Sequence, residues 1–154
     1  MIPPPPLWPA VFSAILTGLP ALPAFADVPV SDGIPVSSDY PAQRVTVGFV
    51  TDEGAGAFQQ VRDASGFATT EQGSIRCHIV ANAGDDDPSI TRGQAFALFA
   101  AWQAWVYGDQ TLGGALPAGS VVDLAAQVDA AQNAQGSGAG LLVTVTYQAT
   151  TYQS

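Results

Sequence analysis

The sequence predicts an α+β fold: an antiparallel or mixed β-sheet with helices packed on one face and long β-hairpins. Two segments, residues 7–19 and 89–107, repeat apolar residues at three- and four-residue spacing, the period of a helix with one buried stripe. Three others, residues 44–50, 120–130 and 141–150, alternate apolar and polar residues as a half-buried strand does. The resulting order of helix, strands, helix and two strands belongs to the α+β class. The 154 residues are about one domain's worth of chain, read as a single unit 1–154 with a proline-rich extension at 1–6. A hydrophobic content of 47% argues against compositional disorder. No uninterrupted apolar run reaches the ~18 residues a membrane-spanning helix needs.

The first helix is written by Leu7, Trp8, Val11, Phe12, Ile15, Leu16 and Leu19 on one side and Ser13 and Thr17 on the other. Pro9 is tolerated in a first turn, and Gly18 with Pro20 ends the run. The same segment has a competing reading as a secretory leader, because Leu7 to Leu22 is apolar and is followed by Ala24-Phe25-Ala26 before Asp27. Against it, no Lys or Arg precedes the apolar stretch, Pro3 to Pro6 stand in their place, and Pro9 and Pro20 interrupt it. A helix packed on a sheet is the expectation.

Ser31-Asp32-Gly33 marks a turn between two short extended pieces within residues 28–36, and Tyr40-Pro41 leads into the strand where Val45, Val47 and Phe49 alternate with Arg44, Thr46 and Gly48. Residues 57–63 and 69–80 predict two strands joined through Ala64-Ser65-Gly66. Gly84-Asp85-Asp86-Asp87-Pro88 has the acids of a metal loop but not the alternating ligands and distal Glu of an EF-hand. It reads better as a helix start, with Asp87 as cap and Pro88 at the first helical position. Ala95, Leu98, Phe99, Trp102, Trp105 and Val106 form the stripe of the main helix, Gly108 stops it, and residues 109–114 make the exit turn. Val122, Leu124, Ala126, Val128 and Ala130 then face the core, with Asp123, Gln127 and Asp129 opposite; residues 132–140 predict a flexible connection. Leu141, Val143, Val145, Tyr147 and Ala149 return as the last strand.

Charge narrows the function. Only 11% of residues are charged, against roughly 25% in an ordinary soluble domain, and lysine is absent. A surface of Ala, Thr, Ser, Gln and Gly suits burial against other protein. The net charge of −9 disfavours bulk attraction to a phosphate backbone, although an acidic lining suits a conduit through which DNA passes. The lone cysteine, Cys77, forms no internal disulfide, and Cys77 and His78 are strand neighbours whose side chains point to opposite faces, so they make no dyad. Glu53 and Glu71, the only glutamates, lie in polar segments that read as solvated. No phosphate loop, nucleophile elbow or metal-ligand spacing is present. The expectation is a non-catalytic protein with no cofactor and no metal.

Three segments in order resemble the tail terminator proteins of long-tailed bacteriophages, especially those of actinobacterial hosts: Gly73-Ser74-Ile75-Arg76-Cys77; Gly84-Asp85-Asp86-Asp87 followed by Arg92 and an Ala-rich helix; and Asp109-Gln110-Thr111-Leu112-Gly113-Gly114. The opening helix, Val30-Ser31-Asp32-Gly33 and a closing strand rich in Val, Thr and Tyr extend the likeness from Leu7 to Tyr152. The chain departs from the pattern in its proline-rich start, in Gln110 where the family often has Pro, and in the second tryptophan of the main helix. The resemblance implies a homohexameric ring in the neck of the virion tail, assembled in the host cytoplasm. Its partners would be further copies of itself, the tail tube protein and the head–tail connector (stopper), with genomic DNA passing unbound through the lumen and no membrane involved. It also implies Arg92, Asp109, Thr111, Leu112, Gly113 and Gly114 as motif residues at subunit contacts. The polar hairpin of residues 57–70 and the last strand are further contact candidates, and Asp123 and Asp129 candidate lumen acids. Other ring-forming neck or tail proteins (head–tail stopper, tail tube) and a secreted acidic binding module are the alternatives.

Overall fold

The computed structural model describes residues 3–33, 43–83, 88–133 and 136–152. The elements are α1 (Trp8–Gly18), two single 3₁₀ turns (Leu19–Ala21 and Pro23–Phe25), β1 (Val30–Asp32), β2 (Gln43–Val47), β3 (Gly56–Arg62), β4 (Ala68–Ala83), α2 (Pro88–Gly108), β5 (Val121–Asn133) and β6 (Gly136–Tyr152). The six strands form one mixed sheet in the order β1-β2-β4-β6-β5, with β3 also on β4. β1 and β2 are parallel, and the remaining pairs are antiparallel.

The long strand β4 organises the sheet. On one side it pairs with β6 along its whole length, from Ala68 opposite Tyr152 to Ala83 opposite Ser137. On the other side β3 and β2 lie end to end, β3 against residues 69–75 and β2 against residues 77–81. Arg76 bridges the junction: its carbonyl accepts the Phe49 N–H at 2.7 Å and its N–H donates to the Ala55 carbonyl at 2.8 Å.

Alternation assigns the faces. Ile75, Cys77, Ile79 and Ala81 of β4, Leu141, Val143 and Val145 of β6, and Val45 and Val47 of β2 all turn to one side and are buried. Val11, Ile15 and Leu19 from the α1 region and Ala95, Leu98, Trp102 and Val106 from α2 complete a single hydrophobic cluster with them. Both helices therefore cover the same face. The close approach of α1 to α2 needs Gly18, because a Cβ there would stand 2.4 Å from the Trp105 ring. Phe25 is also buried, so the segment with leader-like composition supplies core.

Three expectations are corrected. Residues 132–140 are mostly strand rather than a flexible connection, since β5 runs to Asn133 and β6 starts at Gly136. Their Gly, Ser and Ala content suggests a loop, but pairing with the end of β4 supplies the backbone partners that hold them extended. Ala126 and Val128 share the helix-side face with Val122 and Leu124, yet are exposed because the helical layer stops short of them. The strand expected over residues 44–50 ends at Val47, where Gly48 takes φ +75°. The second extended piece after Gly33, Tyr40-Pro41, the acidic residues 84–87 and the Asp87 cap lie outside the described residues.

Removing residues 1–26 takes Val11, Ile15, Leu19 and Phe25 out of the core. At about 1.5–3 kcal/mol for each fully buried side chain, the loss rivals the entire stability of a domain. A chain starting at Asp27 is expected to show no cooperative thermal transition by circular dichroism; a sharp melt in that chain would refute the assignment of this segment to the core.

Candidate functional site

Glu71 is buried, with 1% of its surface exposed, contrary to the solvated place expected for it. It sits on β4 in the same alternate set as Ile75 and Cys77, so its side chain enters the helix-side layer. Extending that alternation backward past Gly73 is the signal that places it there. Its two carboxylate oxygens accept the Leu7 N–H at 2.9 and 3.0 Å, the Gln60 side-chain amide at 3.0 Å and the Tyr147 hydroxyl at 2.5 Å. Leu7 is the cap position of α1 and has no side-chain cap of its own. Glu71 thus supplies, from 64 residues away, the anion that a helix amino terminus favours. Gly73 makes room for the Tyr147 ring, whose atoms would lie 2.3 Å from a Cβ at that position. Burial, then the hydrogen bond and charge of Glu71, push the Tyr147 hydroxyl far above its ordinary value. Trp8 continues the contact by donating its indole N–H to the Ser74 carbonyl at 2.9 Å. Glu53 is exposed as expected and pairs with Arg76 at 3.0 Å, a surface contact worth at most about 1 kcal/mol.

The motif at residues 109–114 forms one loop. Asp109 Oδ1 accepts the Thr111 N–H at 3.0 Å and its hydroxyl at 2.6 Å, while Oδ2 accepts the Gly113 N–H at 2.9 Å. The Thr111 hydroxyl is the leading reason that the Asp109 carboxyl lies below its ordinary value, followed by the Gly113 and Thr111 N–H groups. Leu112 is buried despite φ +52°, and Gly113 and Gly114 follow at +73° and +97°. The left-handed leucine costs on the order of 1 kcal/mol, which its burial offsets. Gln110 donates to the Val106 and Val122 carbonyls at 2.8 and 3.1 Å and accepts the Val122 N–H at 2.8 Å. Its amide therefore ends α2 and caps the free side of β5 together. Arg92 stands exposed near the other end of α2, 17 residues and about 25 Å of helix from Asp109, so it does not join this loop. The acidic residues expected beside it lie outside the described residues.

Among the described residues the other face of the sheet carries no helix. Gln72 bonds Gln148 at 3.2 Å and Thr70 bonds Thr150 at 3.0 Å across β4 and β6. With Ala57, Ser74, Val121, Asp123 and Thr146 these strands floor a shallow depression of about 660 Å³. Asp123 is exposed at its rim, where it accepts the Tyr107 hydroxyl at 2.6 Å and the Leu124 N–H at 2.9 Å. The Tyr107 bond, then the Leu124 N–H, lower its carboxyl below the ordinary value, and the same Asp123 contact raises the Tyr107 hydroxyl. The backbone of Asp129 lies opposite Gly140, six residues along β5. Cys77 and His78 fall on opposite faces. The thiol is pushed up to about 12 by burial, and the imidazole lies against the Phe49 ring, their centroids 4.6 Å apart and their planes tilted by 34°. Among the described residues no group of three or more His, Cys, Asp and Glu could hold a metal, and no helix is long and apolar enough to cross a membrane.

The sheet has two unlike ends. The last strand, a contact candidate in sequence, lies between β4 and β5 from Ser137 to Gln148, and residues 149–152 reach past β5. The free borders belong instead to β5 at one end and to β3 and β1 at the other. Both ends show large apolar side chains: Val121 (61% exposed) and Val128 (53%) on β5, Phe58 (49%) and Val61 (56%) on β3. The sequence hides this because alternation reports which face a residue occupies, not which strand is outermost.

No protein-family model and no curated protein matches this sequence.

Tyr147→Phe leaves Glu71 one donor short and is expected to cost about 1–3 kcal/mol near neutral pH. Because the folded chain holds the Tyr147 proton above the ordinary value of 10.0, this contribution is complete below that pH and declines above it, where only the unfolded chain ionises. The gap between the urea midpoints of wild type and variant is therefore expected to stay constant up to about pH 10 and to narrow progressively above it; a gap that stays constant above about pH 10 would contradict the sign. Asp109→Ala is expected to open residues 109–114 to limited proteolysis, with little change in the α2 circular dichroism signal.

Proposed function

We propose that the chain is a structural virion protein: a tail terminator that closes as a homohexameric ring on the head-proximal end of the tail tube, ends tube polymerisation and presents a surface to the head–tail connector. The motif resemblance suggests the role, and the observation that carries it is the pair of unlike, partly apolar borders at opposite ends of one sheet. A closed ring of identical subunits needs two different contact patches per subunit, each complementary to the other. The lysine-free composition suits such burial. The proposal assigns no reaction, cofactor or metal. Asp123 and Asp129 are placed in the lumen, where negative charge lets DNA pass without sticking. Asp109, Thr111, Leu112, Gly113 and Gly114 contribute as a rigid loop beside the β5 border, and Arg92 as an exposed cation within reach of a neighbour.

The same borders serve a head–tail stopper or tail tube subunit, the nearest alternatives. The burial of Val11, Ile15, Leu19 and Phe25 weighs against a secreted module that starts at Asp27.

A native mass spectrum of the full chain is expected to show six copies of the 15.8 kDa subunit, about 95 kDa, and the assembly is expected to cap preformed tail tubes without extending them. Unlimited filaments would point to a tube subunit, and a monomer inert toward tube ends would overturn the proposal.

A further inference from the structure

The free border of β5 is half closed and half open. Residues whose backbone groups point away from β6 are the even-numbered ones, as the bonds of Val122 to the Gln110 side chain show. Val122 is satisfied by Gln110, and the Leu124 N–H is satisfied by the Asp123 carboxylate. From Ala126 onward no such cap exists among the described residues. Ala126 and Val128 present unpaired outward N–H and C=O groups and exposed side chains on the helix-side face. An edge of this kind, with no Pro and no Lys along β5, is a template for another strand.

β3 is the matching border. Asp63 and Ala55 bond to β4 through their backbones, so the even residues Phe58, Gln60 and Arg62 aim their backbone groups outward. Their side chains share the helix-side face, since Gln60 reaches Glu71. β3 also lacks Pro and Lys. The open stretch of β5, residues 126–133, and the seven residues of β3 are similar in length. The antiparallel ladders β3-β4-β6-β5 make β3 and β5 run in opposite directions. A rotation about an axis along the strands therefore brings β5 of one copy against β3 of the next as an antiparallel pair. β5 carries Asp123 and Asp129 and no base, and β3 brings no acid of its own to meet them. Pairing β5 with another β5 would instead place four acids in one ladder.

We infer that subunits associate by strand addition, residues 126–130 of β5 in one copy pairing antiparallel with residues 56–60 of β3 in the next, with Val128 opposite Phe58. This register covers two large side chains that are each about half exposed, and an aromatic residue beside a β-branched one is a favourable cross-strand pair. The inference rests on the ring reading for the number of copies but not for the pairing itself.

The test is disulfide trapping in the full chain. Phe58→Cys and Val128→Cys together are expected to give a ladder of oxidised oligomers ending at six, while each single variant stays monomeric on a non-reducing gel. The native Cys77 is fully buried and stays out of the reaction. Val128→Lys is expected to weaken assembly about tenfold or more without altering the far-UV spectrum, because a charge on an edge strand blocks addition and leaves the fold intact. A native hexamer with no crosslink, and with Val128→Lys assembling as wild type, overturns the pairing while the ring stands. A ladder with no stop at six keeps the pairing and overturns the ring. Dimers from either single variant show like strands pairing and overturn the inference, as does a chain that neither assembles nor crosslinks at high concentration.

Discussion

A carboxylate removed from water must be held by donors, and among the described residues Glu71 is held by three groups from three parts of the chain. The Leu7 N–H begins α1, the Gln60 amide comes from β3, and the Tyr147 hydroxyl comes from β6. Leaving such a group unpaired would cost several kcal/mol, so the contacts form together or not at all. The consequence reaches every layer. α1 takes its start position from a residue 64 positions later, its apolar face is then aimed at β2 and α2, and β3 is fixed against the amino-terminal half of β4. Gly73 and Gly56 belong to the same arrangement, one yielding to the Tyr147 ring and the other lying 3.1 Å from the Trp8 ring when given a Cβ.

Much of this fold is legible in the sequence. Both helices follow from apolar spacing, and their observed limits, Trp8–Gly18 and Pro88–Gly108, differ by about a residue from the proline and glycine punctuation. The alternation of Val143, Val145 and Tyr147 against Thr144 and Thr146 shows directly which face of β6 is buried. What escapes is information that no single segment holds. Glu71 looks solvated because its neighbours Thr69, Thr70 and Gln72 are polar, although its parity with Ile75 says otherwise. Ala126 and Val128 look buried because their alternation is correct; only the reach of the helical layer decides whether the face is covered there. Strand order is likewise invisible to local pattern, and it makes β6 central and β5 peripheral.

The loop at residues 109–114 shows how a short motif has a local physical meaning before any functional one. Asp109 gathers Thr111 and Gly113, which turns the chain sharply enough to bring Gln110 onto Val122. A side-chain amide carries two N–H donors and a carbonyl acceptor, so Gln110 can close α2 with one donor and offer Val122 a donor and an acceptor as a neighbouring strand would. A proline at this position would offer neither. The border of β5 is therefore closed where α2 ends and open beyond it.

The placement of β6 between β4 and β5 orders events in time. The centre of the sheet is built from strands about 50 to 85 residues apart in sequence at their paired positions, such as Ser137 with Ala83 and Tyr152 with Ala68. Contacts of such separation close large loops before they return any energy, which slows folding. During synthesis β4, α2 and β5 leave the ribosome before the strand that joins β4 to β5, so neither can be seated until β6 has followed. Until β6 emerges the nascent chain thus carries unpaired strand edges, a condition that favours aggregation and engagement by chaperones. The border of β5 therefore acquires its defined geometry only when β6 arrives beside it.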